Sequence, residues 1–125
     1  MNSVERWAEQ ARYDLDTARA MLDSGRYLYV VFCCQQAVEK MLKAVIAKRT
    51  NTFPPRIHAL VHLAETATLD LSEERAQFFR ELSIYYTQTR YSEEIQALTA
   101  KLSQGQARRI LEQTEETVQW LSSMK

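Results

Sequence analysis

The sequence predicts an all-α protein: an antiparallel, up-and-down bundle of four longer helices plus one short helix, forming a single domain over residues 1–125. Three observations carry that prediction. The 125 residues include only 2 Gly and 2 Pro, where an average chain of this length carries roughly 8 Gly and about 6 Pro. Glycine supplies the positive φ that tight hairpins and phosphate-cradling loops require, so its shortage argues against a β-sandwich, a Rossmann fold and a P-loop. Apolar residues recur at steps of three and four along most of the chain, which is the period of one helix face. Capping residues and breakers fall between those runs, at Asn2, Gly25, Pro54-Pro55 and Ser72.

Asn2 with Glu5 three positions on has the form of a capping box. Val4, Trp7, Ala8, Ala11, Leu15, Ala18 and Leu22 then make one apolar face, so the first helix is expected over 3–23, stopped by Gly25. A second helix over 26–49 is apolar on most sides, from Tyr27 and Val30 to Val45 and Ile46, which suits a central helix or one at a subunit interface. Pro54-Pro55 ends it. A short helix over 57–68 turns Ile57, Leu60, Val61 and Ala64 inward. Ser72, followed by Glu73-Glu74, caps the next helix, which runs to 89 and buries Ala76, Phe79, Leu82, Ser83 and Tyr86. Residues 91–102 are polar and leave helix after Ser92 open. The last helix covers 103–123, with Ala107, Ile110, Leu111, Thr114, Val118 and Leu121 as its stripe.

The formal charge is zero, 16 basic against 16 acidic residues, which removes the generic electrostatic argument for nucleic-acid binding. Its distribution is uneven. Residues 1–25 sum to −2, residues 26–60 to +5 and residues 61–125 to −3. Such asymmetry marks either an anion or partner surface or a basic helix compensated within the fold. Cys33 and Cys34 are adjacent in an apolar run and make neither a disulfide framework nor a zinc quartet. They read as reduced small hydrophobes, which with the absence of a signal-peptide pattern or a span of about 20 apolar residues predicts a cytoplasmic protein away from membranes.

No motif calls for a cofactor, and no catalytic nucleophile has an activating partner. His58 and His62 stand at i, i+4, the spacing of a two-histidine metal face, but no zincin glutamate accompanies them. They read as a capping or surface pair, and no metal site is expected. The carboxylate pairs Glu73-Glu74, Glu93-Glu94 and Glu115-Glu116 belong on solvated helix faces and caps. More telling are polar residues where the helical period asks for apolar ones. Asp14 borders the apolar face of the first helix; Gln36, Glu39, Lys40 and Lys43 interrupt the second; Arg90 continues the Phe79–Leu82–Tyr86 face of the fourth. A charge on a core-facing stripe must be paired. These groups therefore form a structural ion-pair network or line a cleft for an anionic or nucleotide ligand.

The block Gln35-Gln36-Ala37-Val38-Glu39-Lys40-Met41-Leu42-Lys43-Ala44 resembles the signature of HEPN-domain proteins. Further landmarks follow in order: Ala11 to Ala18 with Asp14-Leu15 inside, Gly25-Arg26-Tyr27, His58-Ala59-Leu60, and Tyr86 to Arg90-Tyr91. The resemblance spans about 10–121. It implies a helical bundle that pairs as a homodimer; in such a bundle the polar positions read as a cleft formed by Gln36, Glu39, Lys40, Lys43, Tyr86, Arg90 and Tyr91, with Asp14 and His58 in a structural polar network. It further implies a nucleotide ligand or a minimal nucleotidyltransferase as partner, in a toxin–antitoxin-like pair. Catalytic members of that family are metal-independent ribonucleases in which four to six residues separate an arginine from the histidine that follows it. Past Arg90 those positions hold Ile95, Gln96 and Ala97, and the one formal match, Arg56 to His62, falls in the linker and short helix. A non-catalytic binding module is the expectation, and RNA is a less favoured partner.

Overall fold

The computed structural model describes residues 2–88 and 92–125, with every side chain among them except those of residues 87, 88, 92, 94 and 95. Among the described residues it contains six α-helices: α1 Ser3–Asp23, α2 Tyr27–Thr50, α3 Leu60–Thr66, α4 Glu73–Gln88, α5 Ser92–Lys101 and α6 Gln104–Ser122. The chain is therefore an all-α bundle.

Local chemistry sets most boundaries. The Glu5 amide donates to Asn2 Oδ1 at 2.9 Å, starting α1. At its end Gly25 takes φ 76°, and the Arg26 and Gly25 amides return to the Met21 and Leu22 carbonyls at 2.9 and 3.1 Å. Those two bonds define a Schellman cap, for which glycine is the unstrained residue. Asn51 closes α2 at φ 53°, so the helix ends before Pro54 is reached. Ser72 and Ser103 accept from the Arg75 and Gln106 amides at 3.1 Å and start α4 and α6.

Side-chain pairs fix the directions. Asp14 meets Lys40 and Trp7 meets Lys43, so α1 and α2 are antiparallel. Arg19 bonds Glu115, while Arg75 and Arg109 reach Glu116 and Glu81. Helix α2 touches every other helix and buries Val30, Val31, Cys34, Val38, Met41, Leu42, Val45 and Ile46 almost completely. Its apolar circumference thus places it at the centre rather than on a face.

Two elements depart from the sequence-based expectation. Residues 92–101 form a helix, because Leu98 and Leu102 find a buried position against the bundle. The short helix is trimmed to Leu60–Thr66, so His58 lies in the extended segment before it and shares no helix face with His62. The i, i+4 relation between the two histidines therefore has no geometric meaning, and no group of three or more metal-ligating side chains occurs among the described residues. No helix is long and apolar enough to cross a membrane among the described residues.

Candidate functional site

The polar positions of α2 resolve into two separate pairings. On one side Lys40 Nζ lies 2.7 Å from Asp14 Oδ2, at angles that make the contact ionic rather than a hydrogen bond. Both side chains are partly exposed. On the other side Gln35, Glu39 and Lys43, one turn apart, form a stripe that faces inward. Gln35 is fully buried, and Glu39 and Lys43 nearly so. Lys43 Nζ donates to Glu39 Oε2 at 3.2 Å and sits 5.3 Å from the centre of the Trp7 ring. Trp7 meets Phe53 of the linker edge-on at 6.3 Å.

His58 completes this cluster. Its Nδ1 is 3.0 Å from both oxygens of Glu39. A carboxylate only accepts, so Nδ1 carries the proton and donates, leaving Nε2 as the second functional nitrogen. Gln35 Nε2 donates at 3.2 Å to Glu39 Oε1 and at 3.2 Å to the His58 carbonyl. Both hydrogens of the amide are thereby used, which fixes its orientation and leaves Oε1 buried with no partner among the described residues. The imidazole stays half exposed while its anchor is buried, and its ring lies 5.2 Å from that of Tyr86 on α4, tilted by 38°. Three segments thus converge: α2 supplies the buried charges, the linker supplies the imidazole and α4 supplies the phenol ring.

Of the residues singled out in the sequence, Glu39, Lys43, His58 and Tyr86 are brought together, and Lys40 and Asp14 form their own pair. Gln36 is partly exposed on a different side of α2 from Gln35. Arg90 and Tyr91 lie outside the described residues. Gln35 was the member that sequence reasoning passed over, although its spacing of four from Glu39 and eight from Lys43 is the signal that could have found it. Neither cysteine joins the site. Cys34 is buried beside Thr114, and burial pushes its thiol up to about 12; burial also raises Cys33. Both are thiols rather than nucleophilic thiolates at neutral pH.

The fold and this cluster define a class: a small helical module that carries a polar, partly buried inter-helix network instead of a glycine-lined pocket. The model of the HEPN domain family matches residues 4–124, and the chain belongs to that family. Among solved structures, the crystal structure of TT1696 from Thermus thermophilus is similar, with 24% identity, a TM-score of 0.82 and full coverage of both chains. At that identity the likeness shows the fold. A search of curated proteins gives no match. Membership of the family supports a nucleotide-binding or ribonuclease-type module as the general class of function.

Proposed function

We propose that the chain is a non-catalytic HEPN binding module that accepts a nucleotide at the His58–Tyr86 surface. One observation carries this: a half-exposed imidazole is pinned through Nδ1 by a buried carboxylate and set against an aromatic ring. Bases stack on aromatic and imidazole planes, and a pre-oriented pair loses little freedom on binding. Lys43 is neutralised by Glu39 and supports the platform from beneath. Charge for the phosphates falls to Arg90, which continues the Tyr86 face in sequence, with Tyr91 completing the cleft; Gln36 and Lys40 stand on another side of α2, where Lys40 is paired with Asp14.

Calorimetric titration with adenine and guanine nucleotides tests this. Binding should weaken at least tenfold in His58→Ala or Tyr86→Ala, each with its helical content intact. A wild-type protein that binds neither nucleotide, or variants that bind unchanged, would sink it. We further infer a homodimer, supported by Tyr29, 55% exposed and tilted against Phe32 at 5.9 Å near the start of the mostly buried α2; light scattering should give twice the chain mass. Docking of a minimal nucleotidyltransferase, in a toxin–antitoxin-like pair, is the remaining part of the proposal, tested by co-purification with the product of the adjacent reading frame.

Metal-independent RNA cleavage is the alternative, and His58 is the observation that favours it. An imidazole with its Nδ1–H held by Glu39 keeps Nε2 free to take a proton from a ribose 2′-hydroxyl. Cleavage of transfer or messenger RNA by the purified protein, abolished in His58→Ala, would replace the binding module with this activity. An inert protein leaves the binding module standing.

A further inference from the structure

Helices α4 and α6 do not pack like the other neighbours in the bundle. Among the described residues no α4 Cα comes within 8 Å of an α6 Cα, yet the two helices are tied by long side chains. Arg75 meets both oxygens of Glu116 at 3.0 and 2.8 Å, with its guanidinium 3.9 Å from the centre of the Trp120 ring. Arg109 meets both oxygens of Glu81 at 3.2 and 2.7 Å. Because α4 and α6 are antiparallel, these two ties stand at different levels and leave a trough between them of about 430 Å³. Phe78 and Thr117, both buried, floor it, and Ser72, Glu74, Glu112 and Gln113 form its walls.

The charges in this trough do not cancel. Arg75 and Arg109 are each consumed by a bidentate carboxylate, which is the strongest geometry open to them. Glu74 on α4 and Glu112 on α6 remain, one on each wall, without an ion-pair partner among the described residues. The trough continues past Phe78 to Glu81 and Arg109. From Ser72 to Glu81 it therefore follows α4 for roughly 14 Å at 1.5 Å per residue. An extended segment of about four residues has that length.

We propose that the α4–α6 trough is a docking surface for a basic, extended segment of a partner protein. Its lysine or arginine heads lie between Glu74 and Glu112, and its aliphatic stems lie over Phe78. Charge complementarity selects the occupant: two unpaired carboxylates on opposite walls attract cationic side chains and repel an acidic segment. The apolar floor distinguishes such a segment from a bare cation, because the stem of a long basic side chain covers apolar surface while its head stays polar. The surface is separate from the His58–Tyr86 platform and does not rest on the nucleotide reading.

A capped peptide of alternating lysine and alanine, about five residues long, is the probe. It is titrated into the full chain at low salt, with binding read by calorimetry and by amide chemical shifts. Shifts should concentrate on α4 and α6, and an equivalent glutamate–alanine peptide should not bind. The double variant Glu74→Gln/Glu112→Gln removes two exposed carboxylates, so it should fold normally and bind the basic peptide roughly tenfold more weakly. Neutralising two exposed carboxylates of α1, Glu9→Gln with Asp23→Asn, should leave affinity unchanged. Absence of binding, shifts elsewhere on the molecule, or equal losses from the two double variants would each overturn the proposal. So would self-association of the chain that depends on Glu74 and Glu112, because a second copy would then be the occupant.

Discussion

Glu39 places both carboxylate oxygens 3.0 Å from Nδ1 of His58, 19 positions further along the chain. With the Gln35 bond to the His58 carbonyl, this contact fixes where the linker lands before α3 begins. The same carboxylate neutralises Lys43, and only 5% and 7% of the two side chains is exposed.

Removing one member of a buried pair leaves the other charge uncompensated, at a cost of about 3–5 kcal/mol. Glu39→Gln strands Lys43 in this way and also loses the charge-assisted bond to His58. The urea midpoint should fall by a corresponding amount with an unchanged slope. Lys43→Met added to Glu39→Gln should recover part of the loss, since no unpaired charge remains, giving a coupling of about 1–3 kcal/mol in the double-mutant cycle. A midpoint unmoved by Glu39→Gln would show that the pair contributes nothing.

The buried thiol of Cys34 makes stability fall in alkali. Burial lifts its pKa from 9.0 to about 12, so between those values the unfolded chain has lost a proton that the folded chain keeps. The folded state binds more protons in that window, and the unfolding free energy therefore declines as pH rises, by up to about 1.4 kcal/mol per pH unit. Below pH 9 the contribution is constant. Cys33 and Tyr85, also raised by burial, act with the same sign. Denaturation midpoints measured from pH 8 to pH 11 should drop more steeply in the wild type than in Cys34→Ala. Identical slopes would contradict the assignment to Cys34.

Backbone conformation predicts two substitutions of opposite sign. Thr68 holds φ 56° at the end of α3, where a β-branched residue is strained. Arg49 Nη1 braces the turn by donating to the Ala67 carbonyl at 3.0 Å. Thr68→Gly relieves that strain and should stabilise the protein by about 1 kcal/mol. Gly25 holds φ 76° with open space where a Cβ would stand, so Gly25→Ala carries only the conformational cost, about 1 kcal/mol of destabilisation. Thermal melts of the two variants should move in opposite directions, and a shared direction would refute the argument.

Arg75 binds Glu116 through both terminal nitrogens, and its guanidinium carbon sits 3.9 Å from the centre of the Trp120 ring. Lysine reproduces the charge but neither the two-pronged fork nor the broad guanidinium contact with the ring. With 22% of the arginine side chain exposed, Arg75→Lys should cost about 1 kcal/mol. Much of that cost should persist in molar salt, because a cation held on a ring face is partly desolvated. The loss is read in chemical denaturation by urea with and without added salt. Full recovery in salt would reduce the contact to a screened ion pair.

Most boundaries of the long helices were legible in the sequence because they depend on neighbours. The Asn2 cap, the Gly25 stop, the Ser72 cap and the apolar stripes of α1, α2 and α6 each lie within a few residues of the groups they bond or face. The polar residues that break those stripes were legible too, as positions that needed partners. Their partners were not, because pairing depends on how far one segment is carried before it meets another. His58 falls on Glu39 since the linker after Asn51 runs back along α2 before α3 begins. Lys40 and Lys43 fall on different carboxylates since three positions turn a helix by about 300° and place the two heads against different neighbours. One position decides between Gln35 and Gln36 for the same reason. A helix turns by about 100° at each residue, which buries the first glutamine against Glu39 and leaves the second beside solvent. Periodicity could establish that α2 carries a polar stripe within its apolar surface; the packing of α1, the linker and α4 around it selected which residues of that stripe meet His58 and Tyr86.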